Sequence, residues 1–203
     1  MTEVIIIKYG LPEYERECVE SVVANTSIPY NLTVHDNYPK DENLSVVWNN
    51  RIRSADSRYV CLLNNDTVVN KDWLKKLVST FDDYENVGAV GAITNHCGTH
   101  QSGFSAALED GKVEPCNTLS GFCMVIDKEA WEKVGGFDED YHLYGEDSDF
   151  CNRLKKAGYN MFTRYDVWIY HYKAKSTEVA EKRGKDIQKI RRNASQMFKK
   201  KWS

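Results

Sequence analysis

The sequence predicts an α/β domain built on a mainly parallel central sheet flanked by helices, and two features of its pattern lead to this fold class. Short apolar runs alternate with stripes of apolar residues at helical spacing over the first 93 residues, in the order β-α-β-α-β-α-β. Polar residues follow the apolar runs, and Asp36 and Asp66 each fall just beyond one. Because ligands bind at the carboxyl ends of strands in such sheets, both acids lie where a site is expected.

The strands and helices of the first half follow from local pattern. Val4 to Ile7 form a continuous apolar run, which is typical of a strand buried on both faces. Pro12 suits the first turn of a helix, and apolar residues recur at helical spacing after it. The same criteria predict strands at 32–35, 59–63 and 87–93, and helices over 44–55 and 73–81.

The second half has a less regular pattern. Between Asn95 and Thr118 no period is sustained, which predicts either a functional lid or a disordered loop. Further signals predict strands at 122–126 and before His171, and helices at 128–134 and 146–157, the last ended by Gly158. From Val179 onward the pattern predicts a basic amphipathic helix, with Ile187, Ile190, Ala194 and Met197 on one face.

Composition limits the class of protein. With 41% hydrophobic and 28% charged residues, the chain has the make-up of a folded globular domain, and its formal net charge of −3 argues against a nucleic-acid-binding protein. Its apolar runs are too short to span a bilayer, and its start resembles a strand rather than a signal peptide. Six cysteines without a C-x-x-C pair argue against structural zinc. A cytoplasmic protein of one domain is expected.

Asn64-Asn65-Asp66-Thr67 is the first candidate for chemistry. A carboxylate at a strand end can approach a diphosphate only if a divalent cation bridges the two anions. A simple turn explains the same residues, since Asn and Asp are favoured in turns, and this motif alone does not decide between the two. Asp36-Asn37 has the same ambiguity between a turn and a nucleoside-binding site.

Glu146-Asp147-Ser148-Asp149 is the second candidate. Acids in a first helical turn stabilise the helix by offsetting its dipole, which is a sufficient structural explanation. The spacing places Asp147 at the head of the apolar, inward stripe, where a carboxylate suits a general base held partly out of water. Asp149 and Arg153 are spaced to pair. His171 by itself fits a structural histidine, and beside a carboxylate it fits part of a Mn²⁺ shell.

In order and spacing these segments together resemble the family 2 glycosyltransferases with the GT-A fold, over nearly the whole chain. Leu62 to Thr67 resembles the family's metal-binding D-x-D-type motif in the variant that keeps the last acid, and Tyr144 to Asp149 resembles the run with the catalytic base. Gly121-Phe122 matches the start of the acceptor-side strand, and Tyr170-His171 matches a late histidine of the metal site.

The resemblance implies a metal-dependent, inverting transfer of a sugar from a nucleotide-diphosphate sugar to an acceptor hydroxyl. It implies Asp147 as the catalytic base with Glu146 beside it, and Mn²⁺ or Mg²⁺ held by Asp66 and His171. The implied nucleotide-sugar-binding residues are Asp36, Asn37, Asn65, Asp66 and Gly121. The implied parts are a nucleotide-sugar-binding half (1–93), a flexible loop (94–118), an acceptor and catalytic half (119–175) and a C-terminal helix (176–203).

Two departures from the family pattern lie at the nucleoside end, where Lys8-Tyr9-Gly10 replaces the usual turn and Tyr38-Pro39 follows Asn37. They leave the donor base open, and the acceptor is also open between a sugar, a lipid-linked molecule and a protein. The basic tail has three explanations: packing on the core, a peripheral membrane contact or a homodimer contact. Two other functions compete, a non-catalytic sugar- or nucleotide-binding module and a nucleotidyltransferase, although Lys8-Tyr9-Gly10-Leu11 is a poor triphosphate loop.

Overall fold

Strands and helices alternate along the part of the chain that the computed structural model describes, residues 1–103, 108 and 110–203. The strands are β1 (Thr2–Lys8), β2 (Tyr30–Asp36), β3 (Tyr59–Asn64), β4 (Thr67–Val69), β5 (Val87–Thr94), β6 (Val113–Pro115), β7 (Cys123–Asp127) and β8 (Asn160–His171). The helices are α1 (Pro12–Asn25), α2 (Leu44–Ser54), α3 (Trp73–Asp83), α4 (Lys128–Val134), α5 (Glu146–Lys156), α6 (Lys175–Lys182) and α7 (Ile187–Trp202).

The strands form one sheet in the order β2-β1-β3-β7-β5-β8-β4, with β6 paired to β8. The parallel pairings β1–β2, β1–β3 and β5–β8 each join six or seven residue pairs, whereas the antiparallel pairings join three to five. The sheet is therefore mainly parallel with antiparallel insertions, which confirms the predicted fold class. The parallel β1, β2 and β3 bring the residues that follow them to one edge.

Helices cover both faces of the sheet. Alternate residues of a strand point to opposite sides, and in the buried strands the residues on both sides are apolar, so each face needs a cover. Val4 and Ile6 of β1 belong to a core with α1 and α3, whereas Ile5 belongs to a core with α2, α4 and α5. Trp73 and Phe150 are the large anchors that α3 and α5 contribute to these two cores. The strands read as continuous apolar runs for this reason.

Two short strands and the division of the C-terminal segment differ from expectation. β4 and β6 have three residues each, too few to show a period. The expected single helix over 176–203 is two helices, because the chain turns at Gly184 (φ +86°) and restarts at Asp186, whose side chain accepts from the Lys189 amide at 2.9 Å. In the described chain, no helix has the length and apolar character that crossing a bilayer requires.

The segment expected to be a flexible loop is partly ordered. Gln101 is fully buried and donates to the Ala92 carbonyl at 2.7 Å, and β6 pairs with β8. Residues 104–107 and 109 lie outside the described residues, so the expected lid stays a prediction.

Candidate active site

A cavity of about 750 Å³ opens at the carboxyl edge of the sheet. Its floor is formed by the residues that follow β1 and β3, and its walls by the start of α5 and by α6 and α7. Seven of the eight site residues that the resemblance implies line it: Asn37, Asn65, Asp66, Gly121, Glu146, Asp147 and His171. Positions as far apart as 37 and 171 along the chain therefore converge in one cavity.

Asp66 and His171 form a pair on one wall, because β4 leaves the turn that holds Asp66 and pairs antiparallel with the end of β8. Asp66 Oδ1 lies 3.2 Å from His171 Nε2, and Asp66 Oδ2 accepts from the Lys175 amide at 3.3 Å. The His171 ring stacks on Phe122 with its centroid 5.6 Å away. Strand pairing and stacking thus fix both side chains with their polar atoms facing each other.

The donor atoms of this pair fit a divalent cation. His171 Nδ1 lies 3.2 Å from the carbonyl oxygen of His96, which can only accept, so Nδ1 carries the proton. Nε2 faces the carboxylate oxygen of Asp66, and a cation that displaced the proton between these two atoms would gain both as ligands. Two such ligands with a backbone-bonded histidine are typical of metal sites. Within the described residues no cluster of three or more metal-ligating side chains occurs. A cation here would complete its shell with oxygen ligands from water or from the substrate.

Asp147 lies on the opposite wall, at the beginning of α5. Its Oδ2 accepts from the Gly121 amide at 3.1 Å and its Oδ1 from the Ser148 amide at 2.6 Å. A side chain at position 121 would bring a Cβ within 3.1 Å of the Trp48 ring, so Gly121 lets the backbone approach the carboxylate. Burial raises the pKa of Asp147 above its usual range, and these amide donors offset only part of that rise.

Glu146 is buried beside Asp147, with 6% of its surface exposed. Its Oε2 has no hydrogen-bond partner among the described residues, and burial, followed by the charge of Asp147, raises its pKa to about 8. Near neutral pH Glu146 therefore carries a proton, and the amide donors to Asp147 favour the anion on Asp147 rather than on Glu146. A left-handed turn at Tyr144 (φ +71°) and Gly145 (φ +91°) places both acids at the cavity.

The other predicted residues, Asn37, Asn65 and Asp36, differ in whether they line the cavity. Asn37 is buried, and its side chain exchanges two hydrogen bonds with the backbone of Glu42 at 2.9 and 3.0 Å, so it shapes the loop at one end of the cavity. Asn65 accepts from Ser176 at 3.0 Å. Asp36 is exposed, caps the Tyr38 amide at 3.0 Å and does not line the cavity.

Sequence reasoning missed a cluster at the same end of the cavity as Asn37. Asp41 accepts from the Tyr9 hydroxyl and from Lys185 at 2.6 Å. Although burial raises the pKa of Asp41, hydrogen bonds from Lys185 and Tyr9 hold it below its usual range. Lys185 precedes α7 and is distant from the other two in sequence, and only the departure from the family pattern at Tyr9 marked this place.

The C-terminal helices close the cavity. α7 contributes Arg191, Ala194, Ser195 and Phe198 to its lining. Arg191 lies over the Tyr144 ring at 4.5 Å and donates to its hydroxyl at 3.1 Å. The tail is thus part of the site rather than an appendage of the domain.

Comparison with known proteins gives a family match over most of the chain. The model of "Glycosyltransferase like family 2" matches residues 2–185. The chain is 43% identical over 63 residues to the N-acetylglucosaminyl-diphospho-decaprenol L-rhamnosyltransferase of Mycobacterium tuberculosis (strain CDC 1551 / Oshkosh). That alignment covers 31% of this chain and 20% of the relative, so the chain matches only about a fifth of the relative's length.

Solved structures give the same fold. GalNAc-T7 with UDP, GalNAc and Mn²⁺ superposes with a TM-score of 0.65 and 13% identity, covering 84% of this chain and 43% of the other. Mannosyltransferase PcManGT of Pyrobaculum calidifontis with GDP-Man and Mn²⁺ superposes with a TM-score of 0.64 and 16% sequence identity. This superposition covers 84% of this chain and 56% of the mannosyltransferase chain. At these identities the likeness establishes the fold.

Proposed function

The chain belongs to the glycosyltransferase-like family 2, and from this premise we propose that it moves a sugar from a nucleotide-diphosphate sugar to an acceptor hydroxyl, with a divalent cation and with inversion. One observation carries the proposal. A pair suited to a cation, Asp66 and His171, and a pair suited to proton transfer, Glu146 and Asp147, line the same cavity. A diphosphate leaving group and an attacking hydroxyl need these two functions.

Asp66 and His171 would hold Mn²⁺ or Mg²⁺, which when bound neutralises negative charge on the departing diphosphate. Both structural relatives described above contain Mn²⁺ with a nucleotide or a nucleotide sugar, which supports this assignment. Asn37, Asp41 and Tyr9 would form the nucleoside end, since they close the cavity beside the ends of β1 and β2.

Asp147 would act as the base. As the acceptor oxygen bonds to the anomeric carbon from one side, its proton passes to Asp147, and the bond from that carbon to the diphosphate oxygen breaks with the electron pair leaving on the nucleotide. The amides of Gly121 and Ser148 favour the ionised form of Asp147, which can take that proton. Glu146, protonated near neutral pH, can donate a hydrogen bond from its unpartnered oxygen to a substrate hydroxyl.

For the acceptor we propose a lipid-linked sugar. The mycobacterial relative is named for an N-acetylglucosaminyl-diphospho-decaprenol acceptor. The cavity wall made by Ala194 and Phe198 is apolar, and Arg191 next to it is a cation suited to a phosphate group. An amphiphilic acceptor would match such a wall better than a free sugar would.

The test is binding of a panel of nucleotide sugars, measured by calorimetry with Mn²⁺, with Mg²⁺ and with a chelator. We expect one donor to bind in a metal-dependent way, and Asp66→Asn to weaken that binding about tenfold or more. Asp82→Asn, an exposed acid on α3 outside the cavity, is the matched control and should bind as the parent does. Binding that ignores both the chelator and Asp66→Asn would remove the cation from the proposal.

A further inference from the structure

Charge is divided unequally along the chain. Residues 173–203 contain 11 Lys and Arg against three Asp and Glu, whereas residues 1–172 contain 16 against 27. The small net charge of the whole molecule therefore conceals an acidic body and a strongly basic C-terminal segment. Such asymmetry indicates a partner with an anionic surface for the basic part.

The basic charge of α7 faces outward. The helix has six Lys and Arg and no acid over its 16 residues. Four of them, at positions 189, 192, 199 and 200, are exposed and form no ion pair among the described residues. At 3.6 residues per turn they fall within an arc of about 100° along a helix about 24 Å long. We define Lys189, Arg192, Lys199 and Lys200 as the basic face.

The apolar side of α7 is already occupied. Ile187 and Ala194 are buried, Phe198 faces the cavity, and Trp202 donates to Asp149 at 2.9 Å. The helix therefore has no free apolar face to insert into a bilayer, and contact with a membrane has to be electrostatic. An outward face without aromatic side chains also lacks the stacking groups that single-stranded nucleic acids require.

We propose that the basic face docks the protein on a bilayer rich in anionic lipid headgroups. The body, with its excess of acids, is repelled by the same surface, so the charge division also orients the molecule with α7 toward the lipid. The inner side of α7 lines the cavity, so docking brings the cavity wall close to the lipid surface. Docking in this orientation would let the enzyme reach a lipid-linked acceptor, and this part of the inference rests on the proposed function.

Vesicle flotation of the full chain tests the docking. We expect flotation with vesicles of phosphatidylglycerol and phosphatidylcholine, weakened by added salt, and none with phosphatidylcholine alone. Each Lys or Arg near an anionic surface is worth about fivefold in partition, so changing the four residues of the basic face to Gln should lower it on the order of several hundred-fold. Lys71→Gln, Lys75→Gln, Lys133→Gln and Lys156→Gln together remove four exposed charges elsewhere and should change partition little.

Besides a failure to float, three outcomes would overturn the docking: flotation without dependence on anionic lipid, equal losses in the two quadruple variants, or binding to single-stranded RNA at physiological salt where the vesicles do not bind. Circular dichroism and nucleotide-sugar binding, expected to be unchanged in both variants, show whether they are folded. Flotation requires no donor. A chain that floats but binds no nucleotide sugar would refute the proposed function alone, and one that binds the donor but does not float would refute the docking alone.

Discussion

The first turn of α5 has two sides, and each buries an acid in a different way. Asp149, on the side toward α7, is fully buried and accepts from Arg153 at 2.8 Å, from Lys201 at 2.8 Å and from Trp202 at 2.9 Å. Glu146, on the cavity side, is almost as buried, yet one of its oxygens has no partner among the described residues. The two carboxylates are three positions apart in sequence. Hydrogen bonds and ion pairs offset the burial of the Asp149 charge, whereas one oxygen of Glu146 has no such partner among the described residues.

The two acids differ in their hydrogen-bond donors rather than in their burial, and we infer from this that Asp149 is structural and that Glu146 serves the proposed reaction. Asp149 ties the last turn of α7 to the helix that holds the cavity acids, so its charge stabilises the fold. Glu146 leaves a polar atom free at the cavity, which is costly for folding unless a substrate uses it. Asp147 lies between these two acids in sequence, and its carboxylate accepts hydrogen bonds from backbone amides instead of from charged side chains.

Matched Asp→Asn substitutions on the two sides should separate these roles and give the largest effects. Asp147→Asn should lower transfer by about 10²–10⁴-fold, because an amide cannot take a proton, while nucleotide-sugar binding is kept. Asp149→Asn should lower the free energy of unfolding by about 3 kcal/mol, because it leaves Arg153 and Lys201 without their shared anion. Single-turnover assays and urea unfolding of both variants measure the two effects.

The result that contradicts this division is a loss of donor binding equal to the loss of transfer in Asp147→Asn. Asp147 would then be needed for binding rather than as the base. An Asp149→Asn variant as stable as the parent would equally show that the Lys201 and Trp202 contacts do not stabilise the protein.

The fold was largely predictable because its signals are local. β1 and β3 are continuous apolar runs, and α3 has an amphipathic stripe, so their types follow from their own residues. The placement of β7 between β3 and β5 was not predictable, since strand order depends on which buried faces meet. Nor was the division of the tail at Gly184, because a single glycine is compatible with a helix until the next cap is recognised.

The candidate site was predictable mainly where a residue ends or follows a strand or begins a helix. Asp66, His171 and Asp147 satisfy that rule, and the structure brings them to one cavity. Asp36 satisfies it too but lies outside, because β2 is the edge strand and its last side chain faces solvent. The contact of Asp41 with Lys185 joins residues 144 positions apart, which no local pattern reveals.

The Glu146→Gln substitution should change how the free energy of unfolding depends on pH, which tests the environment of the less compensated acid. Burial raises the pKa of Glu146 from 4.5 to about 8, so the unfolded chain ionises first and the parent loses stability as pH rises between these values. The amide variant does not ionise, and its advantage in the free energy of unfolding should grow from below about 1 kcal/mol at pH 5 to a few kcal/mol at pH 8. Urea unfolding at both pH values measures it. A difference independent of pH would mean that Glu146 titrates alike in the folded and unfolded chains.

The smallest expected effect lies on the other side, where Trp202→Phe removes one of the three donors to Asp149 but keeps an aromatic ring. Loss of a hydrogen bond to a buried carboxylate should lower the free energy of unfolding by about 1.5 kcal/mol. Trp168→Phe is the matched control, since among the described residues its indole donates to the neutral Gly103 carbonyl, at 3.4 Å. In an Asp149→Asn background the Trp202→Phe effect should shrink, because the anion that made the bond strong is gone. Additive effects in that double-mutant cycle would show that Trp202 stabilises α7 by packing alone, and the contrast between Asp149 and Glu146 would then rest on Arg153 and Lys201.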